Sequence, residues 1–194
     1  MRRVIVGITG ASGAIYGIRT LELLKKLDDV ETHAIVTPSA QRTIAHETDY
    51  RPDDIRDLAD HLHHPRDIGA AVSSGSFVTA GMLVAPCSVK TLSGIANSYG
   101  DELVVRAADV CLKERRRVVL LLRETPFHAG HIDLMARATA NGAIVMPPVP
   151  AFYAMPTSIE DIVDQTVSRA LELLDVVVPG IKRWDGRSVL PDDG

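Results

Sequence analysis

Two stretches of this chain join small or hydroxylated residues to the start of a helix, the combination that binds phosphate. In the first, VIVGITGASGAIYG (Val4 to Gly17), an apolar β-rich run gives way to Gly7, Gly10 and Gly13, with Ser12 among them. A strand, a glycine turn and a helix start present free backbone N–H groups to an anion. The Ser12 hydroxyl can face the bound group. The spacing is GxxGxxG, not the GxGxxG of dinucleotide sites, which counts against NAD. The second stretch, MLVAPCSVKTLS (Met82 to Ser93), ends a strand in proline and small residues. It opens a helix with Ser88, Thr91 and Ser93 near its start and Lys90 as a movable charge. The alternative for either stretch alone is a plain capped βα turn, the weaker reading in both cases. Two such turns leaving parallel strands on one sheet edge define a crevice.

The elements that must carry these turns alternate strand and helix, which predicts a single α/β domain with a parallel sheet covered on both faces. Strands are expected at 3–8, 31–37, 82–85, 117–122 and 143–146. Helices are expected at 14–27, 39–47, 52–59, 89–97, 102–113, 132–140 and 159–176. Thr157 and Glu160 have capping-box spacing ahead of the last helix, and Asn141-Gly142 closes the sixth. Residues 60–69 read as a weakly patterned connector, and 185–194 as a fraying tail beyond a domain of residues 1–180. The second strand ends in Thr37, where a nicotinamide-binding fold carries an acid for the ribose diol. The crevice therefore suits a mononucleotide phosphate and ribityl chain.

Composition narrows the partners. With 194 residues and 46% hydrophobic content, one sizeable core is expected. A net charge of −4 provides no electrostatic footprint for nucleic acid or an anionic membrane. No apolar run reaches a membrane span of roughly 18–20 residues, and the start of the chain does not read as a signal peptide. Cys87 and Cys111 make no disulfide framework, so a reducing cytoplasm is the simplest compartment.

Six segments in register resemble the UbiX-type flavin prenyltransferase family: GITGASGAIYG at the start, SSGSF (73–77), PCSVKTLSGIA (86–96), RAADVCLKERR (106–116), RETPFHAGH (123–131) and PPVPAFY (147–153). The resemblance implies a flavodoxin-like Rossmann variant, three-layered and assembled as a homododecamer. It implies transfer of a dimethylallyl group from dimethylallyl monophosphate to N5 and C6 of reduced FMN, without a metal. The product, prenylated FMN, would pass to a UbiD-type decarboxylase.

By the same resemblance, Gly10, Ala11, Ser12, Thr37, Ser88, Val89, Lys90, Thr91 and Arg123 would hold FMN. Arg106, Lys113, Arg123, Tyr153 and Arg169 would hold the prenyl phosphate, several of them from neighbouring subunits. An allylic phosphate ionises more readily when its departing oxygens meet cations and hydroxyl donors. Ser12, Glu47, Lys113 and Glu124 are the catalytic candidates, Glu124 and then Glu47 as proton relays; an acid in either place is otherwise a structural ion pair.

Other features are set aside. Asp53-Asp54-Ile55-Arg56-Asp57 fits a DDxxD diphosphate motif, but acids in a first helical turn serve the macrodipole. His61, His63 and His64 read as a solvated connector. The KERRR run (113–117) reads as helix-end cations, Lys113 excepted, and Cys87 as a buried thiol. Trp184 could cover the prenyl pocket or pack in the tail. Two rival functions stay open: an FMN-dependent oxidative cysteinyl decarboxylase of the phosphopantothenoylcysteine decarboxylase type, with His46 as base, and a non-catalytic FMN carrier.

Overall fold

The computed structural model describes residues 1–180 together with Arg183, Trp184 and Gly186; most of the expected tail lies outside the described residues. One parallel sheet runs β3-β2-β1-β4-β5-β6, built from β1 (Arg2–Ile8), β2 (Val30–Val36), β3 (His61–His63), β4 (Gly81–Cys87), β5 (Arg117–Leu122) and β6 (Ala143–Val145). The helices are α1 (Ala14–Leu24), α2 (Pro38–Glu47), α3 (Pro52–Leu58), α4 (Val89–Ala96), α5 (Leu103–Lys113), α6 (Ala129–Ala140) and α7 (Ile159–Glu172). Strand order reverses direction between β1 and β4, the switch point where doubly wound sheets open a ligand crevice at their carboxyl ends. No helix among the described residues is long and apolar enough to cross a membrane.

The strands read as continuous apolar runs because both faces are covered. Val4, Val6, Ile8, Ala34, Leu83, Ala85, Val119 and Leu121 pack with α1, α2 and α7 on one side. Ile5, Ile35, Met82, Val84, Val118, Leu120 and Leu122 pack with α4, α5 and α6 on the other. This period of two along each strand produces the three layers the sequence predicts. Between α1 and α7, Arg19 grips Asp164 through Nε at 2.5 Å and Nη2 at 2.9 Å.

The departures from expectation are local. The presumed connector contains β3, whose pairing with β2 puts His61 beside His33 and His63 beside Ile35. Three residues are too few for a visible pattern. His61 and His63 share one sheet face with His33, which is buried, and their rings stack on it; the solvated-connector reading is corrected here. The helix α7 stops at Glu172, not at 176, because Asp175 turns left-handed (φ 59°) and Val176 N–H donates to Leu171 O. Its N-cap is Ser158 in a capping box with Asp161, one residue beyond the expected pair. The helix α6 starts three residues early, at Ala129, because His128 Nδ1 accepts the Gly130 N–H.

Candidate functional site

Strands β2, β1 and β4 are neighbours, and each hands over to a helix at its carboxyl end, so the N-termini of α2, α1 and α4 lie side by side. Their first-turn N–H groups make the crevice electropositive before any side chain is counted. Thr9 ties two of the turns together: its Oγ1 donates to Pro86 O at 2.7 Å and accepts from Ser88 N–H at 2.9 Å. Thr9 is buried. It escaped sequence reasoning because its partners lie 77 and 79 residues away.

Around the first turn, Gly13 sits at φ 94° as the N-cap of α1, a conformation that favours glycine. At Gly10 a Cβ would lie 2.2 Å from Ser39 Cβ, so the turn closes against the start of α2 without room for a side chain. Ser39 is a second wall residue that the sequence did not single out; the signal was Thr37-Pro38, a third helix start. Thr37 caps α2 by accepting the Ala40 N–H at 3.2 Å, which makes its hydroxyl first a structural cap.

The glycine N-cap leaves α1 without a capping side chain of its own, and Glu47 from the end of α2 takes that place. One carboxylate oxygen accepts the Gly13 N–H at 2.8 Å and the Ala14 N–H at 3.1 Å. Burial works to raise its pKa, but hydrogen bonds from the Ser12 hydroxyl and those two N–H groups, with the nearby Arg123 charge, hold it below the ordinary carboxylate range. Glu47 is thus a carboxylate held in its ionised form that ties the Ser12 hydroxyl and the start of α1 together. Arg123 follows β5 directly, and its N–H donates to Cys87 O at 3.0 Å, so its guanidinium stands on the same edge. Glu124 follows it, half-buried, with one carboxylate oxygen accepting the Thr125 N–H at 2.9 Å.

In the second turn Ser88 caps α4, accepting the Thr91 N–H at 3.3 Å, and Val89, Lys90 and Thr91 form the first helical turn. The Lys90 ammonium does not hang free: it pairs with Glu102 Oε1 at 2.5 Å, which raises its pKa. Burial pushes the Cys87 thiol up to about 12, so it is an inert core thiol.

Lys113 does not join this crevice within one chain. Lys113 ends α5, ahead of β5, on the opposite sheet edge from Glu124. A six-residue strand separates the two edges by about 20 Å, and the ammonium pairs with Glu114. Arg106, in the second turn of α5, pairs with Asp109 at 3.0 Å. Tyr153 is tied to α7, the helix that carries Arg169. Gln165 Nε2 donates to Tyr153 Oη at 3.2 Å, and Arg169 lies one turn further on the same helix face. Arg169 pairs with Glu172 at 3.0 Å, and Trp184 stands edge-on to Tyr153 with ring centroids 6.2 Å apart. Tyr153 and Arg169 are exposed, on the outside of the molecule.

The comparisons with known proteins agree with this geometry. Residues 1–171 match the family described as Flavoprotein. A relative named flavin prenyltransferase UbiX, from Salmonella typhimurium, is 53% identical over 188 residues, 96% of this chain and 100% of the relative. The crystal structure of AnUbiX (PadA1) in complex with FMN and dimethylallyl pyrophosphate superposes with a TM-score of 0.93 at 49% identity, covering 96% of this chain and 99% of that one. A dodecameric FMN-dependent UbiX-like decarboxylase from Escherichia coli O157:H7 superposes at 0.92 and 46% identity, covering 95% and 100%. The chain belongs to the flavoprotein family and, within it, to the UbiX flavin prenyltransferases.

Proposed function

We propose that this protein transfers a dimethylallyl group from dimethylallyl monophosphate to reduced FMN. The observation that carries the reading is the gathering of Ser12, Thr37, Ser88 and Arg123 on adjacent strand tips around the switch point, with Glu47 reaching in from the end of α2. The donor set fits FMN: three helix N-termini, hydroxyls and a guanidinium suit a phosphomonoester and a polyol chain, and the end of β2 carries Thr37, not the acid that holds an adenosine ribose. Reduced FMN supplies the nucleophilic N5 and C6, each of which must also lose a proton.

The chain's own residues divide the remaining work. The Gly10–Ser12 turn, Thr37 and the Ser88–Thr91 turn orient the flavin and its phosphate. Glu47, held ionised, fixes the Ser12 hydroxyl at the ring edge. Glu124 keeps one oxygen on the Thr125 N–H, and its carboxylate takes a proton released at the flavin and returns one to the prenyl double bond, which gains it as the neighbouring carbon bonds to C6; the other proton leaves with the phosphate. Arg106, Lys113, Tyr153 and Arg169 hold the leaving phosphate, several of them from neighbouring subunits; within one chain Lys113 stands at the far end of β5 from the crevice. This implies a homo-oligomer, a dodecamer as in the E. coli structure. A cytoplasmic setting, a UbiD-type decarboxylase as recipient of the prenylated FMN, and a catalytic domain of residues 1–180 belong to the same reading.

Anaerobic incubation with reduced FMN and dimethylallyl monophosphate tests it. A five-carbon adduct on the flavin by mass spectrometry is the expected result. Its absence, or reduction of oxidised FMN by a cysteinyl peptide, would replace this reading with the rival decarboxylase. The carrier reading fails if Glu124→Ala retains FMN but yields no adduct.

A further inference from the structure

Away from the flavin crevice, the sheet edge holds a cluster that the transfer reaction does not use. Glu31 and His33 on β2 and His61 on β3 bring one ligand atom each to within 4.8 Å of one another. Glu31 Oε1 lies 3.1 Å from His33 Nε2 and 3.2 Å from His61 Nε2. We propose that Glu31, His33 and His61 form a binding site for a zinc-class divalent cation that clips the edge strand β3 to the sheet.

Ligand bonds of about 2.0–2.1 Å in tetrahedral geometry place donor atoms about 3.3 Å apart, close to both separations. Two imidazoles with one carboxylate are a donor set that zinc accepts. The outer supports of such a site are also in place. His33 Nδ1 lies 3.0 Å from His63 Nε2, so with its proton on Nδ1 the ring gives His63 a hydrogen bond and turns the Nε2 lone pair to the ion. The second Glu31 oxygen accepts from Arg3 Nε at 3.1 Å, and the Arg3 guanidinium lies 4.6 Å over the Phe77 ring, which itself meets His33 edge-on. Asp60 accepts the Thr32 N–H at 2.7 Å and donates its own N–H to Thr32 Oγ1 at 2.9 Å, so His61 starts from a fixed backbone. The His33 and His61 rings stack with centroids 4.6 Å apart and 20° between planes, and coordination turns them so that both Nε2 atoms face the ion. His61 is exposed, which leaves a fourth position to water. The site lies four residues back along β2 from Thr37, about 13 Å from the crevice, so the ion is a structural clip and no part of the transfer chemistry.

The test is titration of the untagged, chelator-stripped protein with Co2+, followed by competition with Zn2+. The expected result is one ion per chain with the intense visible absorption of low-coordinate cobalt, displaced by zinc. His61→Gln, at an exposed position, should weaken binding at least 10-fold. His63→Ala should weaken it about 10-fold by removing the outer hydrogen bond. His64→Ala should change nothing, because His64 Nδ1 accepts only the nearby Arg66 N–H in its own turn. An absorption identical to that of the free aqueous ion overturns the proposal. So does equal affinity in the wild type and His61→Gln.

Discussion

At Glu47 a carboxylate at the end of α2 caps the preceding helix, α1, and the pH dependence of the protein should show it. Its pKa is lowered in the folded state, so the stability it contributes is complete above the unfolded-state value and is lost as pH falls through the folded one. Glu47→Gln should therefore lower the urea midpoint near neutral pH, and the gap to wild type should close on acidification through the carboxylate range. A gap that stays constant would mean that the charge contributes nothing. Glu124 makes a different demand. It anchors one neighbouring N–H and no helix end, so Glu124→Ala should leave FMN affinity and thermal stability close to wild type. The five-carbon adduct should then be lost, as followed by mass spectrometry.

Among the elements, the contact between the first turn and α2 is the tightest constraint on the crevice. A methyl at Gly10 would meet Ser39 Cβ at 2.2 Å, and the start of α2 would have to move. Gly10→Ala should weaken FMN binding by 10-fold or more, read by flavin fluorescence, while the sheet stays folded. Deep in the sheet, Leu121 on β5 is fully buried between the strand and the α1–α7 layer. Leu121→Ala should cost about 2–5 kcal/mol, the usual range for a large-to-small core change, seen as a lower urea midpoint at unchanged slope.

For the whole molecule, the reading that a neighbouring subunit completes the site makes a prediction about assembly. If the phosphate-binding residues come from a neighbour, Glu124→Ala and Arg169→Ala variants are each inactive alone. Dissociated and reassembled together, they should recover part of the adduct-forming activity, because some mixed sites receive one intact half from each chain. No recovery from confirmed mixed particles would place the whole site within one subunit. The exposed side chains of Phe152, Tyr153, Met155 and Ile159 lie in the segment carrying this second half, as expected of a surface that meets another copy.

The short-range signals were enough for most of the framework. Apolar runs ended by glycine or proline located the strands around Val4, Leu83 and Val119, and the serines and threonines at helix starts located two of the three turns that face the crevice, because caps and turns are decided within a few residues. The resemblance added the residue types without saying where each one stands. Only the tertiary structure decided what depends on pairing across the chain. It made β3 a strand through β2, stacked His61 and His63 on His33, and brought Glu47 to an N–H group 34 residues away. It also set Lys113 on the far edge from Glu124. Those placements follow from the crossovers and the strand order, in which residues distant in sequence meet through packing energies that no local pattern encodes.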